Sequence, residues 1–386
     1  MGKRAIVLGA GMVGSTMARD LASDPDFDVT VADIRPEALA RAAAPSRQAP
    51  QARLGTAEIE LADPEAIKRA VAPFDVVLGA LASHLGFNAL RAVLEAGKPY
   101  CDISFMPEDA LDLDALAKER GVTAVVDCGV APGISNLLAG HACALLDRAE
   151  RVDICVGGLP LERRLPFEYK APFAPADVIE EYTRPARFRE AGRLVVKDAL
   201  SEPELLDFPG IGTLEAFNTD GCRSLLRTLD APDLRERTLR YPGHAALMAA
   251  FRHAGLFSKE TIAVGGRPVR PLDVTSALLF PKWQYQEGEA DLTVMRVVVE
   301  GTKGGRRVRH SWDLLDRYDP VSGIRSMSRS TAFPAAIMAR LISQGRFSLP
   351  GVHPPEIPGR DPLITAFMLA ELEKRGVRYS ARLETL

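Results

Sequence analysis

Three glycines follow the first apolar run of the chain, and their spacing predicts a turn that binds phosphate. Gly9, Gly11 and Gly14 come directly after apolar residues 5–8, and an amphipathic helical pattern follows them. Gly9 permits a tight turn, Gly11 lets the backbone approach a diphosphate, and Gly14 lets the helix pack on the strand. The positive end of that helix then faces the anion.

The next strand pattern ends in an acid that strengthens this interpretation. Residues 27–33 alternate as a strand and end in Asp33. A carboxylate at this point can accept hydrogen bonds from the hydroxyls of an adenosine ribose, and it repels a 2′-phosphate. Arg35, two residues later, is the feature that would favour a 2′-phosphate. We therefore expect a nicotinamide dinucleotide, NAD by preference, with NADP as the alternative.

Strand and helix patterns alternate from the start of the chain to about residue 128. This alternation predicts a doubly wound parallel sheet, the Rossmann fold, with its ligand across the carboxyl ends of the strands. The segments 75–81 and 99–104 are predicted strands whose following loops should face the nicotinamide half of the cofactor. The expected cofactor contacts are Gly9, Ala10, Gly11, Met12, Val13, Gly14, Asp33, Ile34, Arg35, Ala80, Leu81 and Ser83.

A second domain is expected over residues 129–326, because the pattern changes after Gly129. Its strongest strand signal is 291–316, two alternating segments around a turn that contains glycine, which predicts an antiparallel hairpin. We expect an α+β domain with a mixed or antiparallel sheet that binds substrate and supports a dimer. The helical segment 327–386 should return to complete the first domain, 1–128.

Composition points to small-molecule partners. The 386 residues include 48 basic and 51 acidic side chains, a formal charge of -3 that offers no basic field for nucleic acid or an anionic membrane. No apolar run approaches the roughly 20 residues of a membrane span, and the start has no cleavage pattern of a signal peptide. Five cysteines without CxxC spacing argue against a disulfide framework or a zinc site. A cytoplasmic homodimer or higher homo-oligomer without a metal is the expectation.

Motifs along nearly the whole chain resemble those of the saccharopine dehydrogenase-like family. They include VLGAGMVG, DCGVAPGISNLLAG, RTLRYPGH, SMSRSTAFPAAIMARLISQG and GVHPPE. The resemblance implies an NAD(P)-dependent enzyme that removes hydride from a carbon bearing an amino-acid nitrogen, a CH–NH or CH–NH2 group. Residues 157–195 look more like the lysine 6-dehydrogenase branch, which implies oxidative deamination of the ε-amine of lysine. Saccharopine dehydrogenase and carboxynorspermidine-type reductase activities stay as alternatives, as does an NAD-binding sensor without chemistry.

Such a substrate needs a proton acceptor, because a protonated amine has no lone pair to assist the departure of hydride. The candidates are His84, Asp102 and His244. Each has a structural alternative: His84 in a loop, Asp102 as a helix cap, and His244 as a packed side chain. The spacing of the residues does not decide among them.

Four further residues are candidates for binding the substrate. By the resemblance, Arg240 lines the substrate pocket and would hold the α-carboxylate through its planar fork. Tyr241 lies in the same motif. Ser104 follows a strand of the first domain, and Asn136 either contacts substrate or caps the helix that begins near it.

Overall fold

The computed structural model describes residues 2–45, 47, 54–173 and 175–386. Contacts divide the chain into two compact units, and each unit contains two separate segments. The first unit contains Met1–Leu145 and Asp319–Tyr379, and the second contains Leu146–Tyr318 and Ser380–Leu386.

The elements follow in chain order. Up to residue 145 they are β1 (Lys3–Leu8), α1 (Met12–Ala22), β2 (Phe27–Asp33), α2 (Pro36–Ala43), β3 (Leu54–Glu58), α3 (Pro64–Val71), β4 (Val76–Gly79), α4 (Ser83–Glu95), β5 (Tyr100–Asp102), a 3-10 turn (Ala110–Leu113), α5 (Asp114–Glu119), β6 (Thr123–Val125) and α6 (Ile134–Leu145). The next stretch contains β7 (Arg148–Pro160), α7 (Pro175–Thr183), β8 (Ala186–Glu190), β9 (Arg193–Lys197), β10 (Glu204–Phe208), β11 (Gly212–Asn218), α8 (Leu225–Thr228), β12 (Asp233–Arg240), α9 (His244–His253), β13 (Ile262–Val264), β14 (Arg267–Val269), α10 (Pro271–Trp283), β15 (Asp291–Lys303) and β16 (Arg306–Arg317). The chain ends with α11 (Ser326–Ser343), β17 (Gly351–His353), α12 (Glu356–Gly359), α13 (Pro362–Lys374) and β18 (Tyr379–Thr385).

The first unit is built on a parallel sheet with the strand order β17-β6-β5-β4-β1-β2-β3 within the described residues. The residues of β4 are all buried and the last four of β1 are buried as well, as expected for parallel strands covered on both faces. The predicted Rossmann fold of this part of the chain is confirmed.

The second unit contains a mixed sheet that runs β10-β11-β12-β7-β15-β16-β18, with β8 and β9 attached beside β12. Strand β12 pairs with β7 in parallel, whereas the other neighbours along this path that have a defined register are antiparallel. The predicted hairpin is β15–β16. Gly304 and Gly305 form its two-residue turn with positive φ angles of 57° and 75°, which is the geometry of a tight hairpin turn. The predicted second domain with a mixed sheet is confirmed.

The division between the units differs from the predicted boundaries at 128/129 and 326/327. It falls at 145/146 and 318/319, and residues 380–386 join the second unit through β18. Helix α6 stays with the first unit because it packs tightly on α12. A side chain at Gly140 would collide with the backbone of Glu356, and one at Gly359 would collide with the backbone of Leu137.

The carboxyl-terminal segment is an integral part of the first unit. Strand β17 extends the parallel sheet by pairing with β6. Helix α11 lies against α1, and the guanidinium of Arg340 binds the carboxylate of Asp20 at 2.7 Å with both side chains buried. This contact holds α11 in a fixed position beside the glycine-rich turn that precedes α1.

Candidate active site

The glycine-rich turn between β1 and α1 has the shape that a diphosphate requires. Gly9 has a positive φ of 104°, and a side chain there would meet the backbone of Ala80. A side chain at Gly14 would meet the backbone of Gly9, so this glycine lets α1 approach the strand. Beside Gly11, in contrast, there is open space, since an added Cβ would find no atom within 4 Å. The turn therefore fits a dinucleotide.

The first turn of α1 offers backbone N–H groups to the same space. Met12 is the first helical residue, and the preceding Gly11 has no side chain that could cap them. Met12 is itself 45% exposed, Val13 is half-buried, and Ala10 is buried below the turn. An anion at this point would accept hydrogen bonds from the helix N terminus.

Asp33 ends β2 with its side chain buried, and hydrogen bonds from the protein hold its carboxylate in place. One oxygen accepts a hydrogen bond from the backbone N–H of Ala10 at 2.8 Å, and both oxygens are held by the guanidinium of Arg35 at 3.0 Å. Burial by itself raises the pKa of Asp33, but the hydrogen bonds from Arg35 and Ala10 outweigh it and lower the pKa below its usual value. Ile34 and Arg35 are exposed beside it. The acid and its arginine thus form one bidentate unit at the expected ribose position.

Replacing Asp33 with asparagine should weaken NAD binding about 10-fold, because a charge-assisted hydrogen bond to a ribose hydroxyl is lost. NADP binding should change little, since Arg35 loses its carboxylate partner and becomes available to a 2′-phosphate. Titration calorimetry with each cofactor measures both constants, and Arg35→Ala is the matched control with the opposite expected preference. Losses of the same size for the two cofactors would contradict a role of Asp33 in recognising the ribose.

Of the expected contacts after β4, Ser83 begins α4, while Ala80 and Leu81 lie in the short segment between β4 and that helix. The helix begins at Ser83, so His84 stands in its first turn with an exposed side chain, which corrects the predicted loop position. Ala80, Leu81 and Ser83 are half-buried. The backbone N–H of Leu81 donates to the Ser104 hydroxyl at 3.3 Å, so the segments after β4 and β5 are joined at this edge of the sheet.

Asp102 is fully buried at the end of β5. One carboxylate oxygen accepts hydrogen bonds from the hydroxyls of Ser104 at 2.8 Å and Tyr100 at 3.2 Å, while the other has no hydrogen-bond partner among the described residues. Burial, opposed by these hydrogen bonds, raises the pKa of Asp102 to about 7. The alternative role as a cap does not apply, because Asp109 caps the following turn through the N–H of Leu111.

The raised pKa of Asp102 predicts a dependence of stability on pH. Between about pH 4 and pH 7 the folded protein keeps the proton that the unfolded chain has lost, so this group destabilises the fold as the pH rises through that window. The Asp102→Asn variant lacks the effect. Urea unfolding of both proteins should show the wild type losing stability relative to the variant with a slope of up to about 1.4 kcal/mol per pH unit. A constant difference from pH 4 to pH 7 would contradict the raised pKa.

Asn136 lies buried in the first turn of α6, and its side chain is engaged by the protein. Its oxygen accepts hydrogen bonds from the N–H of Gly133 at 3.3 Å and from the hydroxyl of Ser135 at 2.9 Å. Its nitrogen donates to the carboxylate of Glu356 at 3.2 Å. This geometry favours the structural alternative for Asn136, in which it orders the start of α6 and joins it to α12.

In the second unit, Arg240 ends β12 inside a cluster of polar and aromatic side chains. We call this the Arg240 cluster, and it contains Arg240, Glu181, Tyr182, Tyr169 and His244. The guanidinium donates to the Glu181 carboxylate at 2.8 Å and to the Tyr182 hydroxyl at 3.4 Å, and it lies 4.6 Å from the centre of the Tyr169 ring. Burial raises the pKa of Glu181, even though Arg240 opposes that shift. A buried guanidinium and a half-buried carboxylate therefore lie side by side.

His244 begins α9 and uses both ring nitrogens within this cluster. Nδ1 lies 3.0 Å from the carbonyl oxygen of Phe167, and Nε2 lies 2.9 Å from the hydroxyl of Tyr182. Burial and the charge of Arg240 lower the pKa of His244 to about 3, so the ring is neutral. Nδ1 therefore donates to the carbonyl, and Nε2 accepts from Tyr182. His244 orients the cluster, and this arrangement leaves it no free nitrogen for a substrate proton.

Tyr241, the next residue, has a separate environment. Its hydroxyl donates to the carbonyl oxygen of Pro160 at 2.9 Å, and the guanidinium of Arg163 lies 4.5 Å from the centre of its ring. It packs in the apolar core with Leu159 and Leu239. Tyr241 follows the last residue of β12 and contacts a different set of residues from Arg240.

Both halves of the chain match models of one protein family. Residues 5–125 match the saccharopine dehydrogenase NADP binding domain, and residues 129–377 match the saccharopine dehydrogenase C-terminal domain. The chain belongs to the saccharopine dehydrogenase family. As a family member it is an NAD(P)-dependent amino-acid dehydrogenase, and the nicotinamide cofactor predicted from the glycine turn is confirmed at this level.

Relatives of the saccharopine dehydrogenase family resemble the chain over almost its full length. Saccharopine dehydrogenase [NADP(+), L-glutamate-forming] of Schizosaccharomyces pombe is 22% identical, with 97% of each chain covered. Carboxyaminopropylagmatine dehydrogenase of Synechocystis is 23% identical, with 94% of each covered. The structure of apo saccharopine dehydrogenase (L-Glu forming) from Saccharomyces cerevisiae superposes with a TM-score of 0.80 at 19% identity over the whole of both chains, so the fold is shared.

The partners of Arg240 were not found by sequence reasoning. Glu181 and Tyr182 lie in α7, and Tyr169 lies in the segment before it. Glu and Tyr are common in helices and loops, and nothing in the spacing of these residues relates them to an arginine some 60 positions later. Among the described residues no cluster of three His, Cys, Asp or Glu side chains forms a metal site, and no helix is long and apolar enough to cross a membrane.

Proposed function

We propose that this dehydrogenase oxidises the carbon–nitrogen bond of a basic amino acid, with the ε-amine of L-lysine as the first candidate. The Arg240 cluster is the observation that carries the proposal. A free amino acid presents a carboxylate beside an ammonium group, and the ion pair of buried Arg240 and half-buried Glu181 presents the complementary charges. A planar guanidinium binds a carboxylate in a bidentate manner, and the adjacent carboxylate can accept from the ammonium group.

The cluster also limits how the amino-acid end can be placed. The guanidinium lies over the ring of Tyr169 and donates to the hydroxyl of Tyr182, and His244 accepts a hydrogen bond from that hydroxyl. These contacts fix the orientation of the fork before substrate arrives, and such preorganisation reduces the cost of binding. In this proposal the α-amino and α-carboxyl groups are recognised here, while the reacting carbon lies farther along the side chain.

When bound, the nicotinamide supplies the hydride acceptor. We infer that His84 accepts the proton from the substrate amine, because it is the exposed candidate of the three. Asp102 and Ser104 position the segment between β4 and α4, which leads to His84. The hydroxyl of Ser104 accepts a hydrogen bond from the N–H of Leu81 and donates one to Asp102. His84, at the start of α4, can take the proton at a ring nitrogen and release it to water.

Replacing His84 with glutamine should lower kcat about 100-fold and should flatten the acid side of its pH profile. Glutamine keeps a polar side chain of similar length but cannot take a proton. Ser83→Ala, a change at the adjacent helical residue, is the control and should leave the shape of the profile unchanged. A glutamine variant that keeps the wild-type pH profile would assign the proton to another group.

The cofactor preference is the second part of the proposal. The buried carboxylate of Asp33 at the end of β2 supports NAD. The yeast and fission-yeast relatives carry NADP(+) in their names, and the exposed guanidinium of Arg35 is the feature here that would suit a 2′-phosphate. Direct comparison of the affinities for the two cofactors decides between them.

A second candidate substrate is supported by the lengths of the alignments. The carboxyaminopropylagmatine dehydrogenase aligns over 393 positions with this chain of 386 residues, whereas the fission-yeast saccharopine dehydrogenase needs 452 positions. The longer alignment indicates that the glutamate-forming enzyme contains insertions that this chain lacks. The second candidate substrate, after lysine, is therefore an N-carboxyalkyl polyamine. Saccharopine is the third.

One experiment tests these alternatives together. The purified protein is mixed with NAD or NADP and with L-lysine, saccharopine or carboxyaminopropylagmatine, and the absorbance of the reduced nicotinamide is followed. Lysine-dependent reduction with release of ammonia supports the first candidate, and reduction with either of the other substrates alone replaces it. Cofactor binding without turnover of any substrate would favour the NAD-binding sensor.

A further inference from the structure

An arginine from the carboxyl-terminal segment reaches the glycine-rich turn. Arg325 precedes α11, and its Nη1 atom lies 3.5 Å from the sulfur of Met12. Met12 is the first residue of α1 and directly follows Gly11. Arg325 directly precedes the SMSR residues of the family motif, and the fold places it next to the glycine-rich turn.

The surroundings of this contact suit a diphosphate. The space beside Gly11 is open, and the N–H groups of the first turn of α1 face it without a capping side chain from Gly11. A helix N terminus carries only about half a positive charge, and a diphosphate carries two negative charges. A guanidinium adds a full charge and a planar set of donors that matches phosphate oxygens.

The position of Arg325 is fixed by the packing of α11. Arg340, near the end of the helix, pairs with Asp20 near the end of α1, and this contact helps to hold α11 against α1. Arg329, one turn after Arg325, is committed elsewhere: it lies 3.5 Å from the carboxylate of Asp319 and donates to the carbonyl oxygen of Arg375. Arg325 is therefore the arginine of this helix that is directed to the glycine turn.

We propose that Arg325 binds the diphosphate of the nicotinamide cofactor beside the N terminus of α1. The thioether of Met12 is a weak acceptor, and phosphate oxygens replace it with a stronger, charge-assisted hydrogen bond. The carboxyl-terminal segment thus contributes to cofactor binding as well as to the fold. The inference depends on the nicotinamide cofactor and is independent of which amino acid is oxidised.

The test is the dissociation constant of the cofactor without substrate. Arg325→Ala should weaken NADH, NADPH and ADP-ribose by a similar factor of about 10 to 100, because the diphosphate is common to all three. Arg325→Lys should be intermediate, since it keeps the charge and loses the fork. Arg120→Ala removes an exposed arginine at the end of α5 in the same unit and should leave the three constants unchanged.

Three results would overturn the proposal. Unchanged binding by a folded Arg325→Ala protein would show that the guanidinium makes no contact with the cofactor. A loss confined to NADPH would assign Arg325 to the 2′-phosphate. An equal loss for adenosine, which lacks phosphate, would indicate a general disturbance of the site. If the alanine variant does not fold, Arg325→Met keeps the aliphatic volume and is measured with the same ligands and the same criteria.

Discussion

Replacing Asp20 with alanine is expected to lower the free energy of unfolding by about 3–5 kcal/mol, because the buried guanidinium of Arg340 and the half-buried guanidinium of Arg375 lose their shared, buried carboxylate. Asp20 lies in α1 with its carboxylate 2.7 Å from Arg340 of α11 and 2.7 Å from Arg375 after α13. Its carbonyl oxygen accepts a further hydrogen bond from Arg340. One side chain thus joins the amino-terminal helix to two carboxyl-terminal elements.

The matched control is Asp24, which also pairs with Arg340 at 3.1 Å but is 29% exposed. Asp24→Ala should cost less than about 1 kcal/mol, since solvent screens the pair. Urea unfolding followed by circular dichroism measures both variants. Equal losses for Asp20→Ala and Asp24→Ala would show that burial of the Asp20 cluster contributes nothing special to stability.

Replacing Arg240 with alanine is expected to reduce kcat/KM for the amino-acid substrate about 1000-fold, roughly 4 kcal/mol of transition-state binding. The substrate carboxylate loses its bidentate partner, and half-buried Glu181 loses the guanidinium that compensates its charge. The measurement compares the active substrate with its analogue that lacks the α-carboxylate; for lysine this is 1,5-diaminopentane. With the analogue, the kcat/KM of the variant should be much closer to that of the wild type.

Two controls separate recognition from folding. Arg237 is a buried arginine of the same strand that pairs with Asp153 at 3.1 Å. Arg237→Ala should reduce kcat/KM for the amino acid and for its analogue by the same factor. Arg240→Lys should recover part of the lost kcat/KM, because lysine keeps the positive charge but lacks the planar, bidentate donors of arginine. If Arg240→Ala lowers the rates with the amino acid and with the analogue equally, the arginine has a structural role only.

Local sequence was sufficient for the parts of the site that lie close together in the chain. The glycine turn, the acid at the end of β2 and the hairpin with Gly304 and Gly305 depend on backbone geometry and on alternation over a few residues. Steric rules and hydrophobic periodicity act at that range, so spacing alone predicts them. The motifs along the chain also identified the family that the two domain models show.

Tertiary structure decided which candidate side chains are free to act. Sequence could not show that the nitrogens of His244 are occupied by Phe167 and Tyr182, or that Asn136 is engaged by Glu356. These partners are distant in the chain, and hydrogen bonds between polar side chains leave no periodic signal. The same holds for the boundary at residue 145, which depends on close backbone packing between α6 and α12.

The sequence by itself determined the alternating architecture, the nicotinamide-binding turn and the family, because each follows from short-range sterics or from residues in a contiguous motif. Only the tertiary structure paired Arg240 with Glu181, brought Arg325 to Met12 and joined Asp20 to the end of the chain. Those pairings depend on where separate elements pack, and the charge of a single residue specifies a need for a partner without specifying which residue supplies it.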